Sequence, residues 1–408
     1  MAFDPKTADL GQLQAFVLAE GSSDAEAVKI KENAITELSD RLVKAGDAKQ
    51  LAGLLSQLRG FFNLIPKAKT AKIVRGIIDS IAKIPGSTQL QVDVCKEQVE
   101  WAKTEKRTFL RQRIELRLAS LYLDSKNFQE ALVLISSLLS EVKKLDDKLL
   151  LVDIHLLESR AHHLLRNLAK SRAALTSART AANAIYVPLL LQAEIDCQSG
   201  TLSAEERDYK TGFSYFFEAF EQSSSLGEPK ALDLLKYMLL CKIMMNDAGD
   251  VPGIISSKAG LKYTGRGVDA MKAVAKAYQD RSLAAFQGAL SAYDAELVGD
   301  PLIATHLASL YDTLLEQNLV RLIEPFSRVE ISHVASLISL PVEKVETKLS
   351  QMILDKKFSG TLDQGAGCLE VFEVAAQDGV YPVTLEVVES MGRVVDTLFA
   401  RSQKLAAV

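Results

Sequence analysis

The chain has 408 residues, 48 % of them apolar, 25 % charged and 6 % aromatic, which excludes an intrinsically disordered polypeptide. Forty-eight basic against fifty-two acidic side chains leave a net charge of −4, which excludes a globally basic nucleic-acid binder while leaving room for a local patch. At this length about two to three domains are expected, with a core large enough to bury roughly 75 % of the unfolded surface.

Cys95, Cys197, Cys241 and Cys368 are widely spaced and form no CxxC, so neither structural zinc nor a secreted disulfide framework is expected. The opening MAFDPKTADLG has no basic region followed by an apolar one, so no secretory signal is expected. The densest apolar runs, Leu149 to Val152 and Val187 to Leu191, fall far short of a membrane span. The reading is an intracellular protein with reduced thiols and no membrane partner.

Residues 87–187 contain neither glycine nor proline. One helix of that length would measure about 150 Å, so several helices joined by tight polar turns are predicted instead. Candidate turns are Asp124-Ser125-Lys126-Asn127, Asp146-Asp147-Lys148 and Arg166-Asn167. Between them apolar residues recur at helical spacing: Leu110, Ile114, Leu118, Leu121; Leu132, Ile135, Leu138, Leu139; Ile154, Leu157, Ala161, Leu164. Pro66, Pro85, Pro188, Pro229, Pro252, Pro301 and Pro341 sit where helices should start or stop.

The helices repeat. Aligning Phe128 with Leu168, Tyr209 and Val251 gives steps of 40, 41 and 42 residues. In the best copy, Leu118, Ala119, Tyr122, Phe128, Ala131, Ile135 and Leu138 match a tetratricopeptide-like pair, with small Ala119 and Ala131 at the close approach. The copy at Tyr209 keeps Gly212, Phe216 and Ala219. One pair cannot bury its apolar face alone, so the pairs must stack. The expectation is a mostly α protein, a right-handed α-solenoid from about residue 20 to 300.

Downstream the pattern changes. Ser327 to Leu340 reads as a short helix using Ile331, Val334, Leu337 and Ile338. Val342 to Lys357 reads as a second, with Val345, Leu349, Met352 and Ile353 on one face. Phe358 to Asp363, Gln364 to Gly367 and Cys368 to Glu373 then read as a two-stranded ribbon around a glycine-bearing turn. Helix, helix, hairpin is the order of a winged helix. A last helix, about Pro382 to Lys404, carries Val388, Met391, Val395 and Leu398 on a coiled-coil-like seam.

A helical-repeat solenoid feeding a winged helix resembles the PCI family, whose members scaffold the proteasome lid, the signalosome and a translation-initiation complex. Leu354 to Phe372 carries the resemblance most specifically and is similar to the wing of a lid subunit of the proteasome regulatory particle. The resemblance extends over essentially the whole chain, including Phe61-Phe62 and Trp101 to Arg117. It implies a non-catalytic lid scaffold of cytoplasm and nucleus that serves ubiquitin-dependent degradation. The winged helix and carboxy-terminal helix would join other PCI subunits in a hetero-oligomer, and the solenoid would brace the lid to the core-particle α ring and an ATPase subunit. The implied domains are a solenoid over 1–225, a PCI domain over 226–380 (helical part 226–326, winged helix 327–375) and a bundle helix over 381–408. The alternative is a PCI scaffold of a related complex, one associated with RNA.

No phosphate loop, GxGxxG, GxSxG or HExxH motif occurs, and the HxH pair of the lid's zinc isopeptidase is absent. His162 and His163 are adjacent and diverge by about 100° on a helix, so they cannot chelate from one face with His155. His306 and His333 are isolated, and Glu205-Glu206 and Asp146-Asp147 sit at turns. No catalytic, cofactor or metal site is expected. The second winged-helix helix holds Lys344, Lys348, Lys356 and Lys357 against Glu343, Glu346 and Asp355, a net of +1 and too little for phosphate binding. No nucleic-acid partner is expected.

Candidate partner-binding residues are therefore Phe358, Thr361 and Leu362 on the wing, where an outer strand could extend a neighbour's sheet or simply cap its own helices. Val388, Met391, Val395 and Leu398 need cover from the chain's own solenoid or from another subunit. Arg107 and Arg111 lie in a stretch from Trp101 to Arg117 with a net charge of +4, either a dock for an acidic surface or a solvated helix face with intrahelical pairs. Phe61, Phe62, Leu64 and Ile65 pose the same choice between inter-repeat core and exposed patch.

Overall fold

The computed structural model describes residues 13–14, 16–17, 25–62, 65–297, 299–338, 340–372 and 379–406. The chain divides into two compact units, Met1–Met271 and Lys272–Val408. The expected positions Leu64 and Glu373 and the opening residues 1–11 lie outside the described residues.

The first unit is a stack of antiparallel helix pairs, each helix packing on its neighbours in the chain: Thr88–Thr104, Thr108–Asp124, Phe128–Leu145, Lys148–Leu164, Leu168–Asn183, Leu189–Glu205, Tyr209–Leu226 and Ala231–Met244. The predicted turns are the reversals of this stack. At Lys126, Arg166, Arg207 and Asn246 the backbone enters the left-handed region, with φ of 63°, 60°, 66° and 67°. These four positions follow one another by 40, 41 and 39 residues. Around each, two backbone bonds close the preceding helix. Lys126 N donates to Leu123 O (3.1 Å) and Asn127 N to Tyr122 O (2.8 Å); Arg166 N donates to His163 O (2.9 Å) and Asn167 N to His162 O (2.9 Å). This is the Schellman arrangement, usually built on glycine. A left-handed turn without glycine costs about 1 kcal/mol, which the two recovered hydrogen bonds offset.

The residue after each left-handed position is Asn or Asp and begins the next helix. Asn167 Oδ1 accepts from Lys170 N (3.3 Å) and Asp208 Oδ1 from Thr211 N (3.2 Å), whereas Asn127 makes no such bond. The turn at Asp146-Asp147 is built differently. Asp146 itself is left-handed (φ 53°), and Asp147 caps the following helix by accepting from Leu150 N (3.3 Å).

Small residues set the spacing between paired helices. Ala119 and Ala131 are fully buried, with Leu118, Ile135 and Leu138 packed around them. In the copy at Tyr209, Gly212 lies so close to its partner helix that a Cβ there would sit 3.3 Å from Gly200 O. Gly200, absent from the sequence pattern, lets the Phe216 ring lie on the helix backbone; a Cβ would meet that ring at 2.8 Å. Phe62 is fully buried and tilts against Trp101 at 5.7 Å, Ile65 is buried and Phe61 packs on the same core, so this segment is core rather than exposed patch.

In the second unit, Leu283–Ala292 and Pro301–Ile323 precede the winged helix. The segment expected to be one helix over Ser327 to Leu340 is instead strand β1, Arg328–Glu330, followed directly by a helix over Ile331–Ile338. The reason is tertiary. β1 pairs antiparallel with β3 (Cys368–Val371), which also pairs with β2 (Gly360–Asp363), giving a three-stranded sheet in the order β1-β3-β2 rather than a two-stranded ribbon. The buried Val329 and Leu369 face each other across this ladder. Ile331, Val334, Val345, Leu349 and Met352 join them in one core with Leu315, Leu319 and Ile323. Leu337, expected on that face, is 57 % exposed. A helix over Val380–Ala406 closes the described chain, and among the described residues no helix is long and apolar enough to cross a membrane.

The two Asn caps give a direct check of the repeat hinge. Asn167→Ala is expected to lower unfolding stability by about 1 kcal/mol, and Asn127→Ala by less than half as much, as read from urea denaturation midpoints.

Candidate protein-interaction surfaces

The wing is anchored from both sides of its central strand. Val371 N donates to Ser327 O (2.8 Å) and Ile331 N to Gly367 O (3.0 Å) on the β1 side, while Phe372 N donates to Ser359 O (2.8 Å) on the β2 side. Alternation along an antiparallel ladder then turns the backbone groups of Ser359, Thr361 and Asp363 toward β3 and those of Gly360 and Leu362 toward the outer edge. β2 ends the sheet, so that edge is unpaired among the described residues. The turn that presents it is held locally: Asp363 Oδ1 accepts from Gly365 N (2.9 Å) and Ala366 N (3.1 Å), and Gly367 takes a φ of 63°. Thr361 is exposed, whereas Phe358 and Leu362 are half-buried against the winged-helix core. The three wing residues therefore divide, two fastening the hairpin and one facing solvent.

Behind the wing, Glu316 accepts from Lys348 (3.0 Å) and from Lys357, and Lys348 also lies 3.9 Å from Asp312. Burial opposes ionisation of Glu316, but hydrogen bonds and charge from Lys357 and Lys348 outweigh it and hold the carboxyl below its ordinary range. The second winged-helix helix ends at Leu354, short of the expected Lys357, and Lys348 on it and Lys357 beyond its end are both engaged by Glu316, which leaves still less positive charge for a phosphate backbone.

The helix over Val380–Ala406 has 27 residues, and every side chain described from Val380 to Gln403 is exposed. Val388, Met391, Val395 and Leu398 are 59–63 % exposed and share a face. Tyr381, Val383, Leu385, Val387, Val394 and Phe399 are exposed beside them and widen the apolar surface to about 200° of arc, taking 100° per residue. The opposite face carries the Glu389–Arg393 pair (3.4 Å). The seam spacing picked out four of these residues; the signal for the others was the apolar residues flanking them at one-residue offsets.

Within the basic stretch, Arg107 and Arg111 are arranged otherwise than a docking surface requires. Arg107 is only 8 % exposed; its guanidinium stacks on Trp101 at 4.8 Å and Nη2 donates to Phe62 O (3.2 Å). It turns inward because the indole and the end of the Arg59–Phe62 helix offer it a face and a carbonyl. Arg111 is half-buried, paired with Glu141 and, one turn along, with Glu115 (3.8 Å). Arg107 and Arg111 are thus engaged within the first unit and are not offered outward to an acidic surface. Of the histidines, His155 Nδ1 lies 2.9 Å from Glu158 and His163 Nε2 lies 2.8 Å from Glu205, two separate pairs.

A solenoid of helix pairs, a winged helix with an open edge strand and an uncovered apolar helix define a protein of the PCI class, built for assembly through several faces. A PCI-domain family model matches residues 290–373. Two further models match on either side: the 26S proteasome regulatory subunit RPN6 N-terminal domain over 5–125 and the RPN6 C-terminal helix domain over 377–403. Relatives span almost the whole chain. The Arabidopsis thaliana 26S proteasome non-ATPase regulatory subunit 11 homolog is 64 % identical over 95 % of this chain and 93 % of its own length. The Schizosaccharomyces pombe probable 26S proteasome regulatory subunit rpn6 is 50 % identical over 94 % and 91 %. The Saccharomyces cerevisiae 26S proteasome regulatory subunit RPN6 is 47 % identical over 97 % and 93 %. The chain belongs to the Rpn6 family, that of 26S proteasome non-ATPase regulatory subunit 11.

The Glu316 cluster yields a pH signature. A carboxyl held below its unfolded pKa adds stability above about pH 4.5, which is lost as pH falls through the folded value. Glu316→Gln is expected to lower the denaturation midpoint at pH 7 and to match the parent once the pH is low enough to protonate Glu316 in the folded chain.

Proposed function

We propose that this chain is a non-catalytic scaffold subunit in the lid of the proteasome regulatory particle, serving ubiquitin-dependent protein degradation in cytoplasm and nucleus. The observation that carries this reading is the long terminal helix, apolar over about 200° and uncovered. Two-stranded coiled coils use a narrower seam, whereas this arc suits a bundle in which more than one neighbour packs against the helix. Membership of the Rpn6 family supports the same reading.

In this proposal the helix joins the corresponding helices of other PCI subunits, and the β2 edge, through the outward backbone groups of Gly360 and Leu362 with the Thr361 side chain exposed beside them, makes the lateral winged-helix contact. The solenoid reaches the core-particle α ring and an ATPase subunit. Residues 1–225 serve as the arm, 226–380 as the PCI domain and 381–408 as the bundle helix. Several modest contacts carried by one chain raise one another's effective concentration, so assembly needs no single strong interface.

The test is affinity isolation of the tagged chain from extract in ATP-containing buffer, followed by a native gel overlaid with a fluorogenic peptide. The full chain is expected to co-migrate with peptidase activity. A chain lacking 381–408 is expected to remain folded, by circular dichroism, and to lose that co-migration. A full chain found only in a complex without peptidase activity, or a truncated chain that assembles normally, would overturn the reading.

A further inference from the structure

Within the first unit, three cavities share walls. One is bounded by Glu32, Lys69, Lys72 and Arg75. The next, about 440 Å³, is lined by Arg75, Asp79, Arg113, Arg117, Asp153 and Arg160 among others. The third, about 320 Å³, takes up Arg160, Glu194 and Lys230 from the second and adds Leu190, Cys197 and Tyr237. Arg75 and Asp79 belong to the first two, and Arg160, Glu194 and Lys230 to the last two, so the three form one continuous furrow crossing successive helices of the stack.

The charges along it are unevenly satisfied. Lys69 is paired with Glu32 (2.8 Å), and both Arg160 (3.3 Å) and Lys230 (2.8 Å) are paired with Glu194. Among the described residues Arg75 bonds its own helix alone, Nε donating to Ala71 O (3.1 Å). Arg113 and Arg117 make no ion pair among the described residues, and Arg117 Nε is buried without a hydrogen-bond partner. Burial pushes Asp153 up to about 6 even with the Arg113 charge beside it. Three guanidiniums on two helices thus face one furrow without an ion-pair partner among the described residues.

We propose that this furrow binds an extended acidic peptide segment, its carboxylates on Arg75, Arg113 and Arg117 and an apolar side chain in the chamber of Leu190, Cys197 and Tyr237. A guanidinium presents paired donors to a carboxylate, and a solenoid groove accepts an extended chain along its length. A polynucleotide fits less well. Asp79, Asp153 and Glu194 interleave with the basic groups, which suits carboxylates spaced along a peptide better than a charge on every nucleotide, and among the described residues no aromatic ring lines the central cavity on which a base could stack. Those same carboxylates can accept from peptide N–H groups. The proposal does not depend on the subunit assignment above.

The experiment is fluorescence anisotropy on the full chain at low ionic strength with a fluorescein-labelled dodecapeptide of alternating Glu and Ser ending in Leu. Saturable binding is expected, at least tenfold tighter than that of the Lys-Ser counterpart. Arg75→Glu with Arg113→Glu, both exposed positions, is expected to weaken it at least tenfold. Lys143→Glu with Lys144→Glu, an equal charge change on exposed residues of the Phe128–Leu145 helix, is expected to change it less than twofold. Absence of saturable binding, or equal losses in the two double variants, would overturn the proposal. So would an oligouridylate that binds more tightly than the peptide with the same dependence on Arg75 and Arg113, which would make the furrow a nucleic-acid site.

Discussion

Chain reversal is what the first unit is built on. A helix pair can bury its inner face only if the turn between its members is short, and the shortest turn available asks one residue to adopt positive φ. Lys126, Arg166, Arg207 and Asn246 accept that strain, and the Asn or Asp after each launches the next helix. Because the device recurs at nearly constant intervals, the first helices of successive pairs come into line. The line brings Arg75, Arg113, Asp153 and Glu194, far apart in the chain, into shared cavity walls. The furrow is therefore a product of hinge regularity and not of any local motif.

The second unit relies on a different device, a strand of three residues. β1 is too short to be stable alone, yet it turns β3 into a central strand and fixes the hairpin to the helical core through Val329 and Leu369. With β3 bonded on both sides, the sheet has one rigid plane, and Glu316 ties the helix behind it to Lys348 and Lys357. The edge presented by Gly360 and Leu362 is consequently held in a fixed direction, as sheet extension requires.

Much of this architecture was legible in the sequence because its signals are local and repeated. Helical spacing, the polar turns at Lys126-Asn127 and Arg166-Asn167, and the small residues Ala119 and Ala131 all report on neighbours in the chain. What escaped depends on contacts made across the fold. Ser-Arg-Val-Glu before Ile331 reads as the start of an amphipathic helix, and only pairing with β3 makes it a strand. Arg107 reads as a surface charge until Trp101 and the carbonyl of Phe62 supply an interior place for it. Gly200 carries no spacing signal, since its role is defined by the ring of Phe216 on the next helix. For the terminal helix the pattern located the face but underestimated its width, because a seam template counts two positions per heptad and ignores apolar residues beside them.

The terminal helix also has a consequence for the lifetime of the chain. An apolar surface of this extent in water is a site for non-specific association, and nothing described within the chain shields it. A copy made in excess of its neighbours keeps that surface in solvent, where aggregation and chaperone capture compete for it. The supply of neighbouring subunits, rather than the chain's own folding stability, then limits how much free subunit a cell can carry.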